Sequence, residues 1–433
     1  MMILNPATDT VAKNSFYSWY AATVLTLAYA LSVIDRQILL LMIGPIEREL
    51  HLTDIDFALL SGGAFGIFYA VFGIPLGWAA DRFSRKWIIT FAILCWSSMT
   101  IASGLSNSFT QLLIARIGVA IGEAALSPAA HSLLADFFPA TKLPKALSLY
   151  SSALFIGTAV ALIVGGGILT ALTAGTLILP LALSPWRIIF LLCGILGLFL
   201  ALWIMALREP ARYGARSNGP NSPQPSFSLL HYLTENKTQG TALIIGPALI
   251  ATVSFMDFWY PELFIRTWGW TIAESGQANG LSSLIFGPLG IICAGFWSSR
   301  LLRNGHHDSC LRLAACAALA LGIASFLMPL MPTATSMLCL LGLSKFIMGF
   351  TPVLIPSAIQ LTVPHHLRAQ YSALFLFGTG AIGMSMGPLS PPLINSLIFA
   401  DPMMMRYSLS IAAILISIPA WLCVRAGYKG KIA

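Results

Sequence analysis

Six ionisable side chains stand inside otherwise apolar stretches of the chain: Asp35, Arg36, Arg116, Glu123, Asp257 and Lys345. A charge near the centre of a bilayer costs about 2.5–3.5 kcal/mol on insertion scales, so each marks either proton and substrate chemistry or an ion pair between helices. Arg116 and Glu123 are seven residues apart, which on a helix is about two turns and roughly 10 Å along one face. They would present a cation and an acid to the same space. Asp35 and Arg116 reach similar depth if their helices run in opposite directions, which predicts a pair between them and leaves Glu123 nearer the midplane. A carboxyl group there can exchange a proton as water reaches it from one side and then the other. Ser-Val-Ile-Asp35 aligns with Ser-Phe-Met-Asp257, and Arg116 with Lys345, but the second half of the chain has no counterpart of Arg36 or Glu123. Proton chemistry is therefore expected in the N-terminal half, with Asp257 and Lys345 as a second polar wall.

The elements that carry these residues must be membrane spans. Of 433 residues, 57% are apolar and only 9% charged, whereas a soluble domain carries about 25% charged residues; a soluble enzyme is excluded. Stretches able to cross about 30 Å of hydrocarbon are predicted at 18–43, 57–78, 87–105, 110–136, 146–172, 187–207, 240–264, 275–299, 311–330, 335–361, 369–397 and 406–424. These are continuous runs without period-two alternation, so the fold class is all-α, not a barrel. The first run is too long for a signal-peptide core and is expected to remain as a span.

The net charge of +8 comes from basic residues scattered between the spans, and no nucleic-acid surface is expected. The seven cysteines include no CxxC pair and are expected to be packing residues. No GxxxxGKS/T or HExxH motif occurs, so neither ATP use nor a catalytic centre is expected. The pairs His306-His307 and His365-His366 lack further ligands in sequence, so no metal site is expected. An ion gradient is left as the energy source, with no cofactor.

Positive charge sets orientation. If the N-terminus is inside, seventeen Lys and Arg fall in inside segments and four outside, so both termini are expected to be cytoplasmic. The polar stretch Gly214–Ser226 lies in the longest inside loop, 208–239, the expected boundary between six-helix halves at 1–207 and 240–433. Within that loop Ser228–Asn236 reads equally as a surface helix or as a solvated linker.

The halves are related in sequence. Gly77-Trp-Ala-Ala-Asp-Arg-Phe-Ser-Arg-Lys86 recurs 218 positions later as Gly295-Phe-Trp-Ser-Ser-Arg-Leu-Leu-Arg-Asn304, and Lys145-Ala146 with Gly157 matches Arg368-Ala369 with Gly380. Paired halves of this kind build secondary transporters with the site between them. The first segment resembles the Gly-x-x-x-Asp-Arg-x-x-Arg-Lys signature of the major facilitator superfamily, and the resemblance covers essentially the whole chain. It implies twelve transmembrane helices in two pseudo-symmetric bundles, with helices one, four, seven and ten around a central cavity. These are the spans that hold the six charges. It also implies that Gly77, Asp81, Arg82, Arg85 and Lys86 form a conformational latch; a basic loop that only sets topology is the alternative.

Within the superfamily, Val33-Ile-Asp-Arg-Gln37, the Arg116 to Glu123 segment and Ser127–Phe138 resemble the spinster branch. That likeness implies proton coupling through Asp35 and Glu123, substrate or counter-charge roles for Arg36 and Arg116, and a lysophospholipid or sphingoid cargo; a hydrophilic organic anion, siderophore or drug is the alternative. Tyr29, Phe65, Tyr69, Phe255, Trp259 and Phe375 are candidate cavity aromatics. Gly157, Gly165–Gly167, Gly378, Gly380, Gly383 and Gly387 give spans five and eleven close approach and places to bend. The expected partners are a small molecule, protons and membrane lipids. The protein is expected to act as a monomer in a bacterial inner membrane.

Overall fold

The computed structural model describes residues 15–139, 142–177, 183–210, 232–304, 306, 308–364 and 367–429. Twelve helices among them are long and apolar enough to cross a membrane. In the first half they are α1 (Phe16–Leu41), α2 (Asp54–Ala80), α3 (Arg85–Gly104), α4 (Phe109–Phe137), α5 (Lys145–Thr173) and α6 (Pro185–Met205). The second half has α7 (Lys237–Trp268), α8 (Ile272–Arg303), α9 (Ser309–Leu330), α10 (Ala334–Thr362), α11 (Gln370–Ile398) and α12 (Pro402–Tyr428). No strand occurs among the described residues.

Each helix coincides with one expected span, and the differences are at the ends. α8 continues to Arg303 and α7 begins at Lys237, inside the expected linker, because polar end residues keep the helical ladder going beyond the hydrocarbon. At the far end of α1 the chain turns and forms a separate short helix, Ile43–Leu50, which buries Ile43 and Ile46 and stops where His51 adopts a left-handed conformation (φ 53°). α2 then starts on a capping box, with the Thr53 hydroxyl accepting from the Asp56 amide and the Asp56 carboxylate accepting from the Thr53 amide. The segment Gly214–Ser226 lies outside the described residues. Residues 232–235 are helical, and Tyr232 packs edge-on against Tyr371 of α11, so the described part of Ser228–Asn236 is a short helix seated on the second half.

Packing repeats across the two halves. α3 lies against α6 as α9 does against α12, α1 against α5 as α7 against α11, and α2 against α4 as α8 against α10. The halves meet along α2 with α11 and along α5 with α8, again a symmetric pair. Small residues permit this approach: a Cβ on Gly66 would lie 2.9 Å from the Ser385 backbone nitrogen, and one on Gly280 would lie 2.7 Å from Ile163 Cγ1.

The core is divided in a way that reports the conformation. On the side opposite the chain ends, one apolar cluster joins both halves, with Ile38, Phe57, Leu162 and Trp186 packed together with Trp259, Phe264, Met337 and Leu409. On the side of the chain ends there are two clusters, one around Trp96, Leu126 and Tyr150 and the other around Leu311, Leu354 and Tyr371. Gly73 of α2 and Gly295 of α8 face open space there. The molecule is thus shut on the far side, while on the side of the chain ends its apolar core divides between the halves, with Met384 of α11 the one buried second-half member of the first cluster.

Three of the four helices at the contact between halves, α2, α5 and α11, contain a widened π-helical turn, at Leu59–Gly63, Val160–Gly165 and Thr379–Met384. Such turns leave the i→i−4 ladder incomplete and allow bending at defined points. Two of them fall in the glycine-rich segments of spans five and eleven.

Candidate functional site

α1 and α4 bring four of the six intramembrane charges into two ion pairs. Arg116 donates from Nη1 to Asp35 Oδ2 at 3.0 Å, and both side chains are buried. This is the pairing expected from their depths. About two turns further along α4, Glu123 Oε2 lies 3.1 Å from Arg36 Nε. Glu123 is fully buried, whereas the Arg36 side chain is 17% exposed, so the guanidinium is the member of this pair that a solute can reach. Arg36 also donates from Nη2 to Ser32 Oγ at 3.3 Å, which fixes it one helical turn below its own backbone.

The pairs are incompletely satisfied. Asp35 Oδ1, Arg116 Nε and Nη2, and both Glu123 oxygens are buried without an aligned hydrogen bond. Aromatic rings take up part of the deficit: Phe65 lies 5.2 Å from the Arg116 guanidinium and Tyr69 lies 5.8 Å from that of Arg36. Both rings come from α2 and stack on each other at 6.2 Å. Removing one partner of a buried pair typically costs about 3–5 kcal/mol, because the other charge is left behind. Arg116→Gln is therefore expected to lower thermal stability markedly, and Asp35→Asn added to it should recover part of the loss. Strictly additive losses in a double-mutant cycle of unfolding temperatures would show the pair to be uncoupled.

In the second half, Lys345 of α10 donates to Asp257 Oδ2 of α7. α7 tightens into a 3₁₀ turn at Met256–Trp259, which places Asp257 at a break in the helix. Asp257 is 16% exposed and Lys345 8%. Arg36 and Asp257 are thus the more accessible members of the three pairs, one positive and one negative, in opposite halves.

The aromatics separate into two groups. Tyr29, Tyr69 and Phe255 are partly exposed, and Tyr29 stacks on Tyr150 at 4.8 Å. Phe65 is buried over Arg116. Trp259 belongs to the core on the shut side and donates to the Pro388 carbonyl at 2.8 Å, and Phe375 is part of the second-half core. Neither of these two faces open space in this conformation. His131 packs edge-on against Tyr150 at 5.2 Å, while His307, His365 and His366 lie outside the described residues.

The basic segment between α2 and α3 makes a network centred on Arg85. Its side chain is buried and bonds Glu209 beyond α6 (Nε to Oε1, 3.1 Å), the Ser132 carbonyl of α4 (3.2 Å) and Asp136. Glu209 also accepts from the Arg85 amide at 2.9 Å and from Ser84 Oγ. These bonds tie α3, α4 and α6 together within the first half. Asp136 and Glu209 carry no signal in the sequence signature; what marks them in hindsight is acidity at the ends of spans four and six, beside a basic loop. Arg82 stacks on Trp78 at 3.9 Å and Lys86 lies 5.1 Å from Trp87. A Cβ on Gly77 would touch only Pro128 of α4, at 3.8 Å. The side chain of Asp81 lies outside the described residues.

A family profile described as Major Facilitator Superfamily matches residues 25–388. Over 381 residues the chain is 29% identical to an MFS-type efflux pump of Mycolicibacterium smegmatis, covering 86% of this chain and 83% of that protein. Over 373 residues it is 24% identical to a probable L-galactonate transporter of Escherichia coli K12, with 83% and 79% covered. Among solved structures, a bacterial homolog of the human lysosomal transporter Spinster, in an inward-facing and unoccupied conformation, superposes with a TM-score of 0.81 at 24% identity, covering 96% of this chain and 98% of that one. That likeness is one of fold.

Proposed function

The chain belongs to the Major Facilitator Superfamily and is an integral membrane secondary transporter of a small molecule, working by alternating access; from that premise we propose that protons drive it and that its cargo is amphipathic and lipid-like, of lysophospholipid or sphingoid type. The observation that carries the proton coupling is the Arg36–Glu123 pair, in which a buried carboxylate is neutralised by a partly exposed guanidinium. An anionic headgroup entering the cavity competes with Glu123 for Arg36. When the headgroup takes the cation, Glu123 is left in an apolar site without its counter-charge and binds a proton instead. Release of the headgroup returns Arg36 to Glu123 and expels the proton. Asp35 and Arg116 hold each other beside this exchange, and Asp257 with Lys345 supplies the opposite wall.

The amphipathic cargo is supported by the partly exposed Tyr29, Tyr69 and Phe255 near these charges and by the fold likeness to a Spinster homolog. A second reading, a proton-coupled carrier of a hydrophilic organic anion, siderophore or drug, is favoured by the relatives described as a probable L-galactonate transporter and an efflux pump. The side of the chain ends is assigned to the cytoplasm of a bacterial inner membrane from the excess of Lys and Arg there, which makes the present conformation inward-open. The protein acts as a monomer and needs no cofactor. The segment from Gly77 to Lys86, with Asp81, Arg82 and Arg85, serves as the latch of the alternate state.

The test is proton flux into proteoliposomes holding the purified protein, with lysophospholipids and then a panel of organic anions offered in turn. Lysophospholipid-dependent flux is the expected result. Flux evoked only by hydrophilic anions would discard the lipid cargo and keep the proton site.

A further inference from the structure

The shut side of the molecule is fastened by a bridge that the transport site does not use. Arg266, near the end of α7, donates from Nε to Glu262 Oε1 of its own helix at 2.8 Å. Its two terminal nitrogens cross to the other half, Nη2 to Glu47 Oε2 at 2.8 Å and Nη1 to Asp54 Oδ1 at 2.8 Å. Glu47 sits on the short helix Ile43–Leu50 and Asp54 opens α2, so one guanidinium ties three segments from both halves. All four side chains are mostly buried.

The charges of this bridge do not balance. Three carboxylates surround one guanidinium, all three kinds of its nitrogen are already engaged, and Glu47 Oε1 is buried with no donor. Glu47 and Asp54 bind neighbouring nitrogens of the same guanidinium, and two carboxylates crowded on one cation repel each other unless one of them carries a proton. Among the described residues no cation besides Arg266 forms an ion pair with these three carboxylates. Arg48, exposed on the short helix, lies with Glu262 beside Gly44. Arg406 of α12 borders the same pocket as Glu262 and Arg266, but donates to the carbonyls of Pro329 (3.0 Å) and Met331 (3.4 Å). α11, which packs on the start of α2, has no charged residue between Arg368 and Asp401.

We propose that this bridge is a pH-operated bolt: a proton shared by Glu47 and Asp54 lets Arg266 lock the halves together on this side, and loss of that proton unlocks them. The inference rests on the transport reading only in assigning this side to the exterior. Burial, with repulsion from Asp54 and Glu262 and against the attraction of Arg266, pushes Glu47 up to about 8 in the shut bridge. Once the halves part, the carboxyl meets water and its pKa returns to about 4.3. The raised value belongs to the shut form, so that form is fully favoured below the ordinary carboxylate range, and its advantage is lost as pH rises to about 8. Between these limits the open-to-shut ratio rises about tenfold per pH unit for one proton.

Infrared titration of the full-length protein in nanodiscs reads the proton directly. A protonated-carboxyl band that disappears with a midpoint near pH 8 is expected in the wild type. It should be missing in Glu47→Gln and shifted to lower pH in Asp54→Asn. Spin labels at the exposed positions 105 and 403, in a variant without the seven native cysteines, report the gap between the halves; it should widen with pH in the wild type, and Glu47→Gln should remove one proton's worth of that dependence. A band or a pH dependence unchanged by Glu47→Gln overturns the bolt. Glu123→Gln should preserve both signals, so loss or retention of its proton flux judges the transport reading separately.

Discussion

Glu123→Gln is expected to reduce substrate-driven proton flux to the level of empty liposomes while the protein remains folded. Gln keeps the size and an acceptor oxygen but cannot release a proton, so the exchange of Arg36 between carboxylate and substrate no longer moves one. The substitution leaves Arg36 with its Ser32 hydrogen bond and its contact with Tyr69. The stability cost should therefore be that of one charge-assisted hydrogen bond, about 1.5–3 kcal/mol, and visible as a modest drop in unfolding temperature. Substrate binding should persist, because Arg36 is freed from its competitor; equilibrium binding at fixed pH measures this. Retained proton-coupled flux in Glu123→Gln would remove this residue from the coupling machinery. Lost flux together with lost binding would instead make it a structural partner of Arg36.

How much of this site could be read from the sequence depended on the kind of contact involved. Burying a charge in hydrocarbon is so costly that Asp35, Arg116, Glu123, Asp257 and Lys345 stand out in any apolar run, and helical rise alone placed Asp35 level with Arg116. Both facts are local to a helix or to a pair of antiparallel neighbours. The bolt was not legible for the opposite reason. Arg266, Glu47 and Asp54 lie at span ends, where charges are common and mostly face water, and there Arg266 reads only as a topology charge. Nothing in the periodicity of α7 says that its last turn meets the start of α2, since that contact is made between the halves. Asp136 and Glu209 were missed likewise, because the signature loop displays the cation and the three-dimensional packing of α3, α4 and α6 supplies the anions. Trp259 and Phe375 show the converse limit: helix periodicity brings an aromatic to an inward face, but a neighbouring helix decides whether that face is cavity or core.

The same dependence on conformation gives glycine substitutions in α2 opposite expected signs. A Cβ on Gly62 would stand 2.5 Å from the Met384 carbonyl oxygen of α11 and overlap the Pro388 ring, and neither a backbone oxygen nor a proline ring can move aside like a flexible side chain. Overpacking of this kind costs about 1–3 kcal/mol. The overlap belongs to the α2–α11 contact on the shut side, so if that contact opens during alternating access the cost falls on this conformation and not on the folded state as such. Gly62→Ala should therefore raise the population open on that side by about 5–150-fold, read as a longer distance between labels at 105 and 403. Three turns along the same helix, Gly73 faces empty space, and Gly73→Ala carries no such penalty here. It should leave the shut side shut, or favour it further if α2 and α11 meet at that level in the alternate state. A Gly62→Ala protein that loses unfolding temperature with no change in that distance would mean that the α2–α11 contact is permanent packing, and that the halves part elsewhere. Since the π-helical turn Leu59–Gly63 includes Gly62 itself, the alternative hinge would then have to lie in α5, where the second widened turn meets α8.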